Sequence, residues 1–133
     1  MKEPLLDTDT LSYYLKGIPN VVNHTKSTLQ QYGYLNISVV TYSEALNGLL
    51  LKDAKRQMAD FLELIRSCHV LPVTQEIAHF SANIQADLVR NGRIIGHTDV
   101  MIGATAIHHN LKVVTNNQSR FSQISNLELD NWI

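Results

Sequence analysis

Four acidic residues in this sequence stand where carboxylates could do chemistry, although most of them are far apart along the chain. Asp7 and Asp9 follow a short apolar run, and Glu44 and Asp99 each lead directly into one. A carboxylate beside an apolar core is costly unless a partner compensates its charge. That partner could be a helix N-terminus, a bound cation or a reacting group.

Helix capping is the simplest account of each acid taken alone. Acids are favoured at helix N-termini by capping and by the macrodipole. Thr41-x-x-Glu44 matches a capping box, and Asp9 and Asp99 each follow a threonine. A cap does not need apolar residues on both sides, however, and these acids have them. Taken together, the acids favour one shared site.

The elements that must position these acids alternate between strand and helix. Strands are predicted at 4–7, 35–40, 69–73, 111–115 and 127–129. Helices are predicted over 8–16, 21–32, 41 to about 67 with a solvated joint at 52–56, 74 to 91, and 98–109. Short apolar strands that alternate with helices predict a single α/β domain, residues 1–133, with a mainly parallel central sheet. Pro72 predicts that the 69–73 strand lies near an edge of that sheet.

In such sheets, ligands bind beyond the carboxyl ends of the strands. Asp7 lies at the end of the first predicted strand, Glu44 comes four residues after the second, and Asp99 begins a later helix. The fourth predicted strand ends with Thr115 and is followed by Asn117, which adds polar oxygens at the same edge. We therefore expect the acids to converge on one face of the molecule.

Clustered carboxylates repel one another and resist ionising together unless a cation neutralises them. A set of oxygen ligands without cysteine or a histidine pair selects a hard divalent ion, Mg²⁺ or Mn²⁺. Such an ion lowers the pKa of a bound water and offsets charge on a phosphoryl oxygen. The acids are therefore suited to phosphodiester hydrolysis.

Composition and charge permit this chemistry and exclude several other classes. The chain is 44% apolar and 17% charged, which is typical of a globular protein. Its net charge of −1 does not by itself indicate nucleic-acid binding, but without the four acids of the site eleven basic residues oppose eight acids. No apolar run approaches the roughly 20 residues that span a bilayer. Cys68 is the only cysteine, which predicts a reducing, cytoplasmic setting and a small buried side chain.

Motifs along the whole chain, in order and spacing, resemble those of PIN-domain proteins, and within that group those of VapC-type ribonuclease toxins. The matching stretches are Leu6-Asp7-Thr8-Asp9, residues 38–44 with Gly48, residues 96–106, residues 111–117, Phe121 and residues 127–132.

The resemblance implies a three-layer α/β/α sandwich and a metal-dependent endoribonuclease that uses Mg²⁺, with Mn²⁺ as the alternative. The family's three metal-binding and catalytic acids map onto Asp7, Glu44 and Asp99. Many relatives have a fourth acid at the position of Asn117. An amide there leads us to expect one strongly bound metal ion.

Other residues are expected to have supporting roles. Asp9 stands where relatives often have asparagine, and the hydroxyls of Thr8 and Thr115 could orient carboxylates or water. The basic residues that could contact phosphate are Lys16, Arg90, Arg93, Lys112 and Arg120.

The resemblance further implies an RNA substrate, a homodimer and a cognate antitoxin that blocks the acidic pocket. Two alternatives stay open. A phospho-accepting receiver domain is also α/β, but it needs a lysine after a late strand, and Lys112 stands at the start of its strand. A catalytically inactive PIN-fold module that binds nucleic acid is disfavoured by the three intact acids.

Overall fold

The computed structural model describes residues 1–133, and a five-stranded parallel sheet forms its centre. The strands are β1 (Pro4–Leu6), β2 (Leu35–Ser38), β3 (Cys68–Leu71), β4 (Lys112–Val114) and β5 (Leu129–Asp130). They lie in the order β3-β2-β1-β4-β5, and every neighbouring pair is parallel. The predicted parallel sheet is confirmed, with β3 at an edge as its following proline indicates.

Seven helices connect and cover these strands. They are α1 (Thr8–Leu15), α2 (Pro19–Tyr32), α3 (Val39–Lys52), α4 (Lys55–Ile65), α5 (Gln75–Arg90), α6 (His97–His108) and α7 (Gln118–Phe121). The predicted joint separates α3 from α4, where Asp53 adopts a φ of 50°. Thr74 caps α5 as expected, since its Oγ1 accepts a hydrogen bond from the Ile77 amide at 3.2 Å. None of these helices has both the length and the apolar character that a bilayer crossing requires.

The sheet divides the core into two halves because successive side chains of a strand point to opposite faces. Leu5 and Val113 pack on one face with residues of α5, α6 and α7. Leu6 and Val114 pack on the other face with residues of α1 to α4, and Trp132 closes this half of the core. Helices therefore cover both faces of the sheet, which confirms the three-layer α/β/α arrangement.

One predicted boundary is wrong at the second strand. The sequence indicates a strand over 35–40 because Val39 and Val40 are β-branched. In the structure, Ser38 caps α3 by accepting a hydrogen bond from the Val40 amide at 3.1 Å, and both valines are helical. Thr41 is therefore inside the helix, so the predicted capping box of Thr41 and Glu44 does not form.

Three smaller differences concern the last strand, α7 and Cys68. The last strand is Leu129–Asp130 instead of 127–129, and the sequence does not predict α7. Cys68 is half-buried, and burial raises the pKa of its thiol to about 11. The thiol is therefore protonated at neutral pH and behaves as a small packing residue.

The strand order reverses at the centre of the sheet, between β1 and β4. The chain builds β1, β2 and β3 outward in one direction, then crosses to place β4 and β5 on the other side of β1. Two hydrogen bonds join the end of β4 to the segment that follows β1: the backbone amide of Asp7 and the hydroxyl of Thr10 in α1 both donate to the Val114 carbonyl, at 3.2 and 2.9 Å. Open α/β sheets bind ligands in the crevice at such a switch point.

Candidate active site

A polar cleft of about 190 Å³ opens at this switch point. Its lining residues are Asp7, Thr8, Asp9, Glu44, Thr98, Asp99, Asn117, Arg120 and Phe121. The structure thus brings all four acids singled out in the sequence into one cleft, together with Thr8 and Asn117. Thr115 does not line the cleft but lies fully buried at the end of β4.

Asp7 is the most buried acid of the cleft, at 3% exposure. It caps α1, since its Oδ1 accepts a hydrogen bond from the Thr10 amide at 2.8 Å. Burial raises the pKa of Asp7 above its usual value, although hydrogen bonds from Thr115 and Thr10 partly oppose this. Capping therefore explains the position of Asp7 but leaves a buried charge that a nearby cation would stabilise.

Glu44 lies in the second turn of α3 and has no capping role. Its Oε1 accepts a hydrogen bond from the Thr8 hydroxyl at 2.6 Å, across 36 residues of sequence. The Thr41 hydroxyl is 3.3 Å from the same Thr8 oxygen. Thr8 thus joins the start of α1 to α3 and orients the Glu44 carboxylate.

Asp99 lies in the first turn of α6, where Gly96 occupies the N-cap position. Its Oδ2 accepts a hydrogen bond from Nη1 of Arg120 on α7 at 2.7 Å. This ion pair raises the pKa of the Arg120 guanidinium. Asp99 is therefore held by a cationic side chain and not by a helix amide.

Thr115 and Asn117 connect the end of β4 to the cleft. The Thr115 hydroxyl oxygen accepts a hydrogen bond from the backbone amide of Asn117 at 2.9 Å. The same hydroxyl donates a hydrogen bond to the Asp7 carboxylate, which lowers the pKa of Asp7. Thr115 therefore holds Asp7 from the buried side of the cleft, and Asn117 is part of the cleft wall.

Of the five basic residues that could contact phosphate, only Arg120 lines this cleft. Lys112 begins β4 and pairs with Asp130 at 2.9 Å, and neither residue lines the cleft. Arg90 pairs with Asp87 at 3.3 Å on the exposed surface of α5. No lysine lines the cleft, which argues against a receiver domain, because a receiver domain needs a lysine beside its acids.

The carboxylate oxygens of the cleft have the chemistry that a hard divalent cation prefers. In this conformation no group of three or more His, Cys, Asp or Glu side chains is close enough to share one ion. Asp7, Glu44 and Asp99 each have one oxygen hydrogen-bonded to a protein donor. By donor type the lining fits a hard divalent cation, but the three carboxylates do not meet around one ion position in this conformation, in which Arg120 holds Oδ2 of Asp99.

A larger cavity of about 620 Å³ lies elsewhere, among α1, α2 and α4. Its walls mix apolar residues such as Leu29 and Leu64 with charged ones such as Arg56 and Asp60. None of the clustered acids lines it. Chemistry, and not volume, therefore identifies the smaller cleft as the candidate active site.

The sequence does not predict that three of the lining residues belong to the cleft: Thr98, Arg120 and Phe121. Arg120 was one of five candidates on charge alone, and 21 residues separate it from Asp99. No local pattern reports such a pairing, because it depends on how α6 and α7 pack.

The chain belongs to the PIN-domain family, whose family model matches residues 5–127. Its relatives include ribonuclease VapC2 of Haemophilus influenzae, 30% identical over 137 aligned positions that cover 100% of both chains. The tRNA(fMet)-specific endonuclease VapC of Shigella flexneri is 30% identical over 129 positions, 96% of each chain. Among solved structures, the DNA-bound VapBC of Salmonella typhimurium superposes with a TM-score of 0.88 at 29% identity, covering 100% of both chains. The resemblance read from the sequence motifs is thereby confirmed.

Proposed function

We propose that this protein is a divalent-metal-dependent endoribonuclease that acts as the toxin of a toxin–antitoxin pair. The observation that carries the proposal is the convergence of Asp7, Glu44 and Asp99 on one cleft at the carboxyl ends of the central strands. The names of the related ribonucleases support the reaction class.

In this proposal the three carboxylates hold Mg²⁺, or Mn²⁺ in its place. A divalent cation bound there would make a water more acidic and offset negative charge on the phosphate. Glu44 would ligate the ion or orient the attacking water, and the Thr8 hydroxyl at 2.6 Å fixes its carboxylate. Thr10 and Thr115 fix Asp7. Asp9 and Asn117 complete the polar wall that faces the substrate.

The proposed substrate is RNA. Outside the cleft, whose lining includes Arg120 as well as the four acids, ten basic residues oppose eight acids, so the rest of the protein attracts a polyanion while the cleft attracts the cation. The Shigella relative is named as specific for an initiator transfer RNA, which supports RNA as the class. Digestion of transfer, ribosomal and messenger RNA in parallel identifies the preferred one.

The proposed partners are a cognate antitoxin and a second copy of this chain, in the cytoplasm. The similar Salmonella structure is a VapBC assembly, which supports the antitoxin. We expect a small reading frame directly upstream to encode a protein with a DNA-binding fold that co-purifies with this chain and suppresses cleavage. Light scattering of the purified chain should give the mass of a dimer.

The deciding experiment is RNA digestion by the purified protein with Mg²⁺ and with EDTA. Asp7→Asn, Glu44→Gln and Asp99→Asn should each leave the protein folded and remove cleavage. Asp87→Asn is the matched control, because Asp87 is an exposed, paired carboxylate outside the cleft. Cleavage that survives EDTA, or acid variants that unfold yet still cleave, would contradict the proposal.

A further inference from the structure

The cleft contains one positive side chain among four acids. Arg120 is the only lysine or arginine in its lining, whereas Asp7, Asp9, Glu44 and Asp99 are all part of it. The nearest opposite charges that act on the guanidinium are Asp99 and Asp9, both of them acids of the cleft. Arg120 is therefore the counter-ion that the structure itself supplies to this acidic group.

The contact between Arg120 and Asp99 differs from the ion pairs on the outer surface. The nitrogen and oxygen are 2.7 Å apart, the Asp99 side chain is 19% exposed and the Arg120 side chain is 49% exposed. The pairs Arg66–Glu63 and Arg90–Asp87 are longer, at 3.5 and 3.3 Å, with all four side chains at least 75% exposed. A shorter and better shielded charge-assisted bond is the stronger one.

We propose that Arg120 is a built-in counter-ion that a divalent metal must displace from Asp99. This inference rests on the proposed function, since it takes Asp99 as a metal ligand. Arg120 holds Oδ2 of Asp99, and a metal ion on the same carboxylate would bring a second cation beside it; two cations at one carboxylate repel each other. Metal binding is therefore coupled to release of Arg120, and the Arg120–Asp99 bond weakens the affinity of the cleft for metal.

The test is Mn²⁺ affinity, measured by electron paramagnetic resonance of free Mn²⁺ on the full-length protein without RNA. We expect Arg120→Met to tighten Mn²⁺ binding about three- to tenfold, which corresponds to the loss of one partly exposed ion pair. Arg120→Gln removes the charge but keeps a hydrogen-bond donor, and it should tighten binding in the same direction. Arg90→Met is the matched control. It removes a positive charge that is likewise paired with an aspartate, Asp87, but outside the cleft. It should change the Mn²⁺ affinity less than twofold.

Each other outcome rejects part of the account. Unchanged or weaker Mn²⁺ binding in both Arg120 variants would overturn the counter-ion role, and so would equal tightening by Arg90→Met. If wild type does not bind Mn²⁺, or binds it no more tightly than Asp7→Asn does, the proposed function fails and the inference fails with it. Asp7-dependent binding that is indifferent to Arg120 would overturn the inference alone.

Discussion

At the scale of single residues, Asp7 combines two roles that one substitution can separate. In Asp7→Asn the amide oxygen can still accept the hydrogen bond from the Thr10 amide, so the cap of α1 is kept. We expect the free energy of unfolding in EDTA at about pH 7 to rise by up to about 1 kcal/mol, because a buried charge is gone. We expect RNA cleavage to fall by about 100-fold or more.

Urea unfolding and RNA digestion measure the two effects, and Asp7→Ala is the comparison. Alanine removes both the cap and the carboxylate, so Asp7→Ala should lose activity and be about 1 kcal/mol less stable than Asp7→Asn. If Asp7→Asn destabilised the protein as much as Asp7→Ala and still cleaved RNA, Asp7 would be a structural residue only.

The raised pKa of Asp7 also predicts how stability depends on pH. Burial raises the folded-state pKa above the ordinary value of 3.8, so the folded chain binds this proton more tightly than the unfolded chain does. The stabilising contribution of protonated Asp7 is fully present below pH 3.8 and is lost as the pH rises through the folded-state pKa. In EDTA at about pH 7, wild type should therefore be less stable than Asp7→Asn, and the gap should narrow toward about pH 4. Urea unfolding at a series of pH values measures the gap, and a gap that is independent of pH would contradict the buried-charge account.

At the scale of elements, one hydroxyl joins α1 to α3. Thr8 donates to Glu44 at 2.6 Å, and both side chains are partly buried. Thr8→Val keeps the shape of the side chain and removes the donor, so we expect a loss of about 1 kcal/mol in unfolding free energy. Cleavage should fall as well, mainly in kcat, because Glu44 loses its orientation.

Thr8→Ser is the control for this prediction, because it keeps the hydroxyl and removes only a methyl group. It should retain most of the activity that Thr8→Val loses. Equal activity of the valine and serine variants would show that Thr8 does not orient Glu44.

Two helical glycines make a matched test of how tightly α6 packs. A Cβ on Gly103 would lie 2.8 Å from Cδ1 of Ile124 and 3.4 Å from Cδ2 of Leu127, whereas a Cβ on Gly48 meets nothing within 4 Å. Gly48→Ala should raise the unfolding free energy by about 0.5–1 kcal/mol through helix propensity. Gly103→Ala has the same gain in helix propensity but overpacks a buried contact. Its unfolding free energy should therefore be lower than that of Gly48→Ala by at least about 1 kcal/mol. Urea unfolding of both variants decides, and equal stabilities would mean that Ile124 moves aside freely.

The elements also show what sequence alone can and cannot predict. The apolar strands and the capped helix α5 follow from local periodicity and from Thr74, so they are predicted correctly. The boundary at β2 fails because the β-branched Val39 and Val40 favour a strand locally, while Ser38 supplies a helix cap. Short-range patterns miss α7 because it has only four residues, and its Arg120 gains its role from a distant aspartate.

At the scale of the whole molecule, the fold brings together carboxylates from three separate places in the chain. Asp7 follows β1, Glu44 comes from α3 after β2, and Asp99 comes from α6, yet all three line one cleft. The general rule that parallel strands end on one face predicts this convergence from the sequence. The rule does not predict the present side-chain contacts, in which Thr8 and Arg120 each hold one of the acids.

The most direct test of the central claim is a crystal structure of the protein grown with Mn²⁺, with the ion located by its anomalous scattering. The account predicts one strong peak in the cleft, about 2.0–2.3 Å from oxygens of Asp7 and Asp99, with Arg120 turned away from Asp99. The same peak should be missing in Asp7→Asn. An empty cleft at saturating Mn²⁺, or a peak that these carboxylates do not touch, would contradict the account.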